Sequence, residues 1–150
     1  MDLLSIGDRI WPVTRRVMKL HTLAYRLTGG RIGHHFPGAP PSLLLDHVGA
    51  KTGKKRTIPL VYVRDGDDIV IVASKGGFPK NPGWFYNLRA NPDTTIQVGS
   101  ERRPVRAHVA GPEERARLWP KVLETYSGYG DYQRRTDRQI PVVILEARTL

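Results

Sequence analysis

Residues 57–73 read TIPLVYVRDGDDIVIVA. Two runs rich in β-branched residues, 57–63 and 69–73, flank the tight turn Asp65-Gly66-Asp67, which is the pattern of a β-hairpin. Pro59 has no N–H to donate to a ladder, so its strand belongs at a sheet edge or a bulge. Working outward, residues 42–48 predict a strand on the N-terminal side, and residues 95–98, 104–109 and 142–147 predict three more on the C-terminal side. Within 104–109, Val105, Ala107 and Val109 alternate with Arg106 and His108, as on a strand with one wet face. Two helical stretches interrupt the pattern: 84–90, ended by Asn91-Pro92, and 112–126, opened by Glu113 and Glu114. Pro120 is expected to kink or split the second. Six short strands with so few helices cannot supply the crossover helix that each parallel pair needs. The expected fold is therefore mainly β (α+β), a small antiparallel barrel with a few peripheral helices.

Upstream of the strands, Leu3, Ile6, Ile10, Val13, Val17, Leu20, Ala24 and Leu27 recur at spacings of three and four, with Arg9, Arg15, Arg16, Lys19 and Arg26 between them. Pro12 fits the first turn and Gly29-Gly30 the stop of a helix over 12–28. Residues 31–41, with Gly33, Pro37, Gly38, Pro40 and Pro41, read as a linker. The expected organisation is a basic amphipathic helix within 1–30, a linker over 31–41 and the barrel over 42–150. The stripe has three possible partners: the barrel itself, a second copy, or an anionic membrane at which the basic helix lies as a peripheral contact.

The chain has 150 residues, 39% hydrophobic and 25% charged, which suits one soluble domain able to bury about 70% of its unfolded surface. No apolar run approaches the ~20 residues of a membrane span, and no signal peptide is evident, so a cytoplasmic protein is expected. The absence of cysteine excludes disulfides, thiolate metal sites, iron-sulfur clusters and cysteine nucleophiles. His34 and His35 are adjacent, and His21, His47 and His108 stand singly, so no metal is expected. Neither a Gly-x-Ser-x-Gly elbow nor a dinucleotide fingerprint is present. Charge is the stronger signal: 24 Lys and Arg against 14 Asp and Glu leave +10. Residues 1–60 hold 10 basic and 3 acidic residues (+7), against 14 and 11 (+3) in the remainder. An anionic partner is expected, met mainly by the first two fifths of the chain.

The most loaded segment is Gly49-Ala50-Lys51-Thr52-Gly53-Lys54-Lys55-Arg56, four cations and two glycines between two strands. Glycines let backbone N–H groups approach an oxyanion, and each charge-assisted hydrogen bond from Lys or Arg is worth about 1.5–3 kcal/mol. The segment is an anion cradle or a solvated hairpin. It is not a phosphate-binding P-loop, because three residues instead of four separate its glycines and Lys55 stands where that loop carries Ser or Thr. A second segment, Ala73-Ser74-Lys75-Gly76-Gly77, places a hydroxyl, an ammonium and pliable backbone at a strand end, where binding residues concentrate. A third, Asn81-Pro82-Gly83-Trp84-Phe85-Tyr86-Asn87, opens a helix with two amides and three aromatics, of which Asn87 is suited to meet a polar heterocycle. In the fourth, Tyr126, Tyr129 and Tyr132 alternate with Gly128 and Gly130 and read as a glycine loop with solvent-facing tyrosines, a ligand lid or an apolar satellite cluster.

In order and spacing, these segments resemble the deazaflavin-dependent nitroreductase family of actinobacteria. The resemblance also takes in Leu43 to Leu45, Pro59-Leu60, Arg64-Asp65-Gly66, Ala90-Asn91-Pro92, Trp119-Pro120, Asp131-Tyr132-Gln133, Thr136-Asp137-Arg138 and Ile140-Pro141, about residues 42–147 in all. It implies a split β-barrel, FMN-binding-like, that carries coenzyme F420, an 8-hydroxy-5-deazaflavin with a phosphate and an oligoglutamate tail. By motif position, Lys51, Thr52, Gly53, Lys54, Lys55 and Arg56 would hold phosphate and carboxylates. Ala73, Ser74, Lys75, Trp84 and Asn87 would line the cofactor, and Tyr126, Tyr129 and Tyr132 would face the acceptor. Tyr129, itself near the cofactor, and Ser74 would be the candidate proton donors. The reaction implied is hydride transfer from reduced F420 to a quinone, a nitroaromatic or a similar unsaturated acceptor. Val61 departs from the family, some of whose members have a tyrosine there. Two alternatives stand beside this reading: an FMN-dependent enzyme on the same barrel, and a basic nucleic-acid-binding module.

Overall fold

The computed structural model describes residues 3–35, 37 and 39–149, and side chains from Thr14 onward. Seven strands form one antiparallel sheet: β1 Ser42–Val48, β2 Lys55–Val61, β3 Val63–Asp65, β4 Asp68–Val72, β5 Asp93–Val98, β6 Glu101–Val109 and β7 Val142–Ala147. Four helices accompany it, α1 Leu3–Thr28, α2 Gly83–Ala90, α3 Pro112–Thr125 and α4 Gly128–Arg134, with a single 3-10 turn at Lys75–Gly77. The strand order is β2-β1-β5-β6-β7-β4-β3. The sheet curls until β2 comes against β4, which closes it into a half-barrel.

The expected hairpin is present, with Asp65 opposite Asp68 and Gly66 at φ 61 in a two-residue turn. The run expected over 57–63 is divided at Tyr62, whose N–H turns aside to the Pro41 carbonyl (3.4 Å) and whose hydroxyl is hydrogen-bonded with His34 Nε2 (2.9 Å). That division is why there are seven strands instead of six. Pro59 lies on β2, an end strand of the sheet, as its missing N–H requires.

Period-two alternation sorts the core into two layers. Ile69 and Ile71 of β4, with Val143 and Leu145 of β7, face the barrel interior alongside Leu43, Leu45, Ile96, Trp84, Phe85 and Leu88. Val70, Val72, Val142 and Ile144 face outward and are covered by Leu118 and Val122 of α3 and Tyr129 of α4. Strands β4 and β7 are thus buried on both faces, which is why they read as unbroken apolar runs.

Helix α1 begins at Leu3 instead of near 12, so Pro12 falls inside it; the helix follows the apolar period from its first member. It stops as expected. Gly29 and Gly30 take φ 61 and 85, and the Gly30 N–H closes on the Tyr25 carbonyl at 2.9 Å. Pro120 does not split α3, which runs unbroken for 14 residues. Leu118 and Val122, both fully buried, seat the helix on either side of the proline and offset its lost hydrogen bond. The tyrosine segment is helical too, a correction to the loop expected there. The expected linker is tied down where it is described: His34 O accepts the Ser42 N–H (2.7 Å) and Gly33 O accepts the Ser42 hydroxyl (2.7 Å).

Candidate functional site

The loop between β1 and β2 is a compact turn. Gly49 N–H donates to Lys54 O (2.9 Å) and Gly53 N–H to Gly49 O (2.8 Å), with Gly53 at φ 68. Lys51, Thr52, Gly53, Lys54, Lys55 and Arg56 are all exposed. Among the described residues, none of the four cations has a carboxylate within ion-pair distance. Four like charges crowded on one turn repel one another, and an anion there relieves that repulsion.

Helix α2 braces this turn from behind. Asn87 Oδ1 accepts the Ala50 N–H (2.9 Å), while its Nδ2 donates to His47 Nδ1 (3.0 Å). His47 is buried, and burial together with the Arg56 cation holds its pKa below the ordinary histidine value. The neutral ring keeps the lone pair that accepts from Asn87. Sequence reasoning gave Asn87 to a ligand. The structure commits both ends of its amide to the hairpin, and Trp84, 5% exposed, packs in the barrel interior.

At the end of β4, Ala73 is buried with its N–H on Pro141 O (2.9 Å). Ser74 is right-handed (φ −76, ψ −40) and Lys75 left-handed (φ 45), the only non-glycine with positive φ among the described residues. Such a succession turns consecutive N–H groups toward one side, the backbone shape of an anion nest, and the left-handed lysine costs about 1–3 kcal/mol. Gly77 (φ 80) lies directly beneath α4: a Cβ there would stand 2.6 Å from the Tyr132 carbonyl oxygen. Sequence reasoning missed Arg138 as a part of this site. Its Nη2 donates to Ser74 O (2.7 Å), its Nη1 to Asn81 Oδ1 (2.7 Å) and Ala73 O (3.3 Å), and its Nε to Phe78 O (2.9 Å). The available signal was a lone arginine within Thr136-Asp137-Arg138, a short polar stretch next to the glycine turn in space and 60 residues from it in sequence.

The three tyrosines do assemble. Their ring centroids are 5.1, 6.0 and 6.1 Å apart, and the Tyr126 and Tyr132 hydroxyls are hydrogen-bonded at 3.1 Å. Gly128 permits this, because a Cβ there would strike the Tyr126 ring at 2.5 Å. They are not uniformly solvent-facing, however. Tyr126 is exposed, Tyr132 half-buried, and Tyr129 is 7% exposed within the outer apolar layer. Burial first, then the neighbouring phenols, push the Tyr129 pKa far up, so its hydroxyl gives up a proton reluctantly.

The strand-end turn packs against α4, and the hairpin packs against α2. Asn81-Pro82, held by Arg138, leads directly into α2 and links the two groups. Two open grooves, of about 270 Å³ between α2 and β6 and of about 240 Å³ between α1 and β2, contain none of the expected site residues. Among the described residues no cluster of three or more His, Asp or Glu is arranged to hold a metal ion.

A family model described as F420H(2)-dependent quinone reductase matches residues 17–147. The chain belongs to that family. An F420H(2)-dependent quinone reductase of Mycobacterium tuberculosis strain H37Rv is 54% identical over 136 residues, 89% of this chain and 91% of that one. The solved structure of an F420-H2 dependent reductase, FDR-A, is 44% identical and superposes with a TM-score of 0.66, covering 71% of this chain and 94% of that one. A domain-swapped dimer 38% identical superposes at 0.69, over 93% and 98%. The match of the curled sheet to the F420-dependent reductase bears out the expected split β-barrel.

Proposed function

We propose that this member of the family is an F420-dependent oxidoreductase whose electron acceptor is a quinone, with nitroaromatics as incidental acceptors. The observation that carries the reading is the braced hairpin with four cations and, among the described residues, no carboxylate partner. A phosphate and an oligoglutamate tail are the charges such a turn lacks, so the residues present fit the group. Bound reduced F420 supplies the hydride. The protein's share is positional. Lys51, Thr52, Gly53, Lys54, Lys55 and Arg56 hold the acidic tail; Ser74 and Lys75 offer N–H groups and an ammonium to the cofactor nearer its ring; the exposed faces of Tyr126 and Tyr132 offer the acceptor an aromatic surface. The buried Tyr129 supports that surface. Ser74, half-exposed at the strand end, is the better candidate for orienting the acceptor and passing a proton from water.

The test is a titration with F420, followed by turnover against a panel of quinones. Replacing Lys51 and Arg56 together by Ala should weaken F420 binding at least tenfold, since about 1.4 kcal/mol suffices. Unchanged affinity refutes the cradle. Tighter binding of FMN than of F420 favours the alternative cofactor instead.

A peripheral membrane contact belongs to the same reading. Val17, Leu20, Leu23 and Leu27 of α1 are 58, 66, 55 and 76% exposed along one face, with exposed Arg15, Arg16 and Lys19 among them. No helix among the described residues is long and apolar enough to cross a membrane. A stripe of this kind suits the surface of an anionic bilayer, where a lipid quinone resides.

A further inference from the structure

We infer that Arg138 is a positioning residue for the cofactor side of the site: its guanidinium fixes the Ser74-Lys75 turn in the conformation that faces the ligand. The inference rests on the proposed F420 site and adds a residue to it. Three of the four acceptors around the guanidinium are backbone carbonyls, those of Ala73, Ser74 and Phe78, and the fourth is Asn81 Oδ1. In a trans peptide the N–H points opposite to the C=O. Drawing the Ala73 and Ser74 carbonyls onto Arg138 therefore turns the N–H groups of Ser74 and Lys75 away from it. No peptide bond in the described chain is cis.

This direction is not one the turn adopts without help. Lys75 at φ 45 carries a conformational penalty that glycine would not, and such strain persists only where surroundings over-determine it. The over-determining contact is the planar fork, which spans the turn from Ala73 to Asn81. Gly77 of the same turn is wedged beneath the Tyr132 carbonyl. The backbone of Arg138 is held as well: its carbonyl accepts from Gln133 Nε2 (2.8 Å), and Gln133 Oε1 accepts from Arg115 Nη2 (3.2 Å) and the Ile140 N–H (2.9 Å). The segment that carries the fork is thus fastened to α3 and α4 independently of the Arg138 side chain. Among the described residues no carboxylate pairs with Arg138, so its charge also adds to the local field. Geometry and charge are separable, because a lysine keeps the charge and cannot span four acceptors.

The experiment compares Arg138→Ala and Arg138→Lys with wild type, reading F420 affinity from the cofactor's absorbance and fluorescence, thermal stability, and KM and kcat with a soluble quinone. Both variants should bind F420 at least tenfold more weakly and raise the KM for reduced F420. The KM for the quinone should stay within twofold, and millimolar guanidinium, far below denaturing levels, should restore binding to Arg138→Ala. Wild-type affinity in both variants overturns the inference, as does recovery by lysine alone, which would reduce Arg138 to a charge. Should neither variant fold, Asn81→Ala removes one acceptor at the edge of the turn; a two- to fivefold loss of F420 affinity supports the inference and wild-type affinity overturns it. Failure of wild type to bind F420 overturns the proposed function. Weakened binding in the hairpin variant alone, with Arg138 variants unaffected, overturns only this step.

Discussion

At the scale of single residues, buried neighbours set the tasks of polar groups whose side chains alone suggested something else. Asn87 is the clearest case. An amide on a short aromatic helix was legible as a binding group, but its partners, Ala50 and His47, lie 37 and 40 residues away and no local pattern announces them. Asn87→Leu should loosen the hairpin, lowering stability by about 1 kcal/mol and weakening F420 binding, measurable by thermal melts and titration. The depressed His47 pKa has a sign that can be checked. The unfolded chain takes up the proton first, so stability falls as pH drops below about 6.5, the ordinary histidine value. His47→Gln should flatten that slope in melts between pH 7 and 5. Asp65 has the same sign in a lower pH window: the hydrogen bonds from Arg117 and Lys121 favour its charged form and hold its pKa at about 2. Its contribution is present above the ordinary carboxylate value near 3.8 and is lost as pH falls through about 2. Asp65→Asn should lower the melting temperature at pH 7, with the gap to wild type closing in acid.

At the scale of elements, legibility followed packing. β1 and β7 fall where their apolar runs place them, because burial on one or both faces leaves few alternatives. α4 was missed because Gly128 and Gly130 have poor helix propensity, and the burial of Tyr129 under α3, a tertiary effect, overrides it. α3 teaches the same lesson from the other side, since two buried residues hold it through Pro120. The contact between the strand-end turn and α4 yields a further test. Gly77→Ala combines a positive φ with a Cβ 2.6 Å from backbone, so it should destabilise by about 1–3 kcal/mol and displace α4. Loss of the tyrosine cluster would be read as a change in near-ultraviolet dichroism and a raised KM for the quinone.

At the scale of the molecule, the charge asymmetry of the sequence becomes two cationic features, the hairpin and α1, with different expected anions. Leu20→Glu with Leu27→Glu alters only exposed positions, so folding and F420 affinity should be unchanged while flotation with anionic vesicles is lost. Retained flotation would leave the stripe to another copy or partner. The way α1 is fastened bears on how such a contact would work. Tyr25, wholly buried in its final turns, donates to the Ser42 carbonyl (2.9 Å) and accepts the Gly99 N–H (2.8 Å), and Arg26 pairs with Asp46 (2.9 Å). The helix is a rigid bracket instead of a leash. Whatever plane its outer side lies against, the barrel and the site proposed on it inherit a fixed tilt to that plane, and a water-insoluble reactant would have one direction of approach.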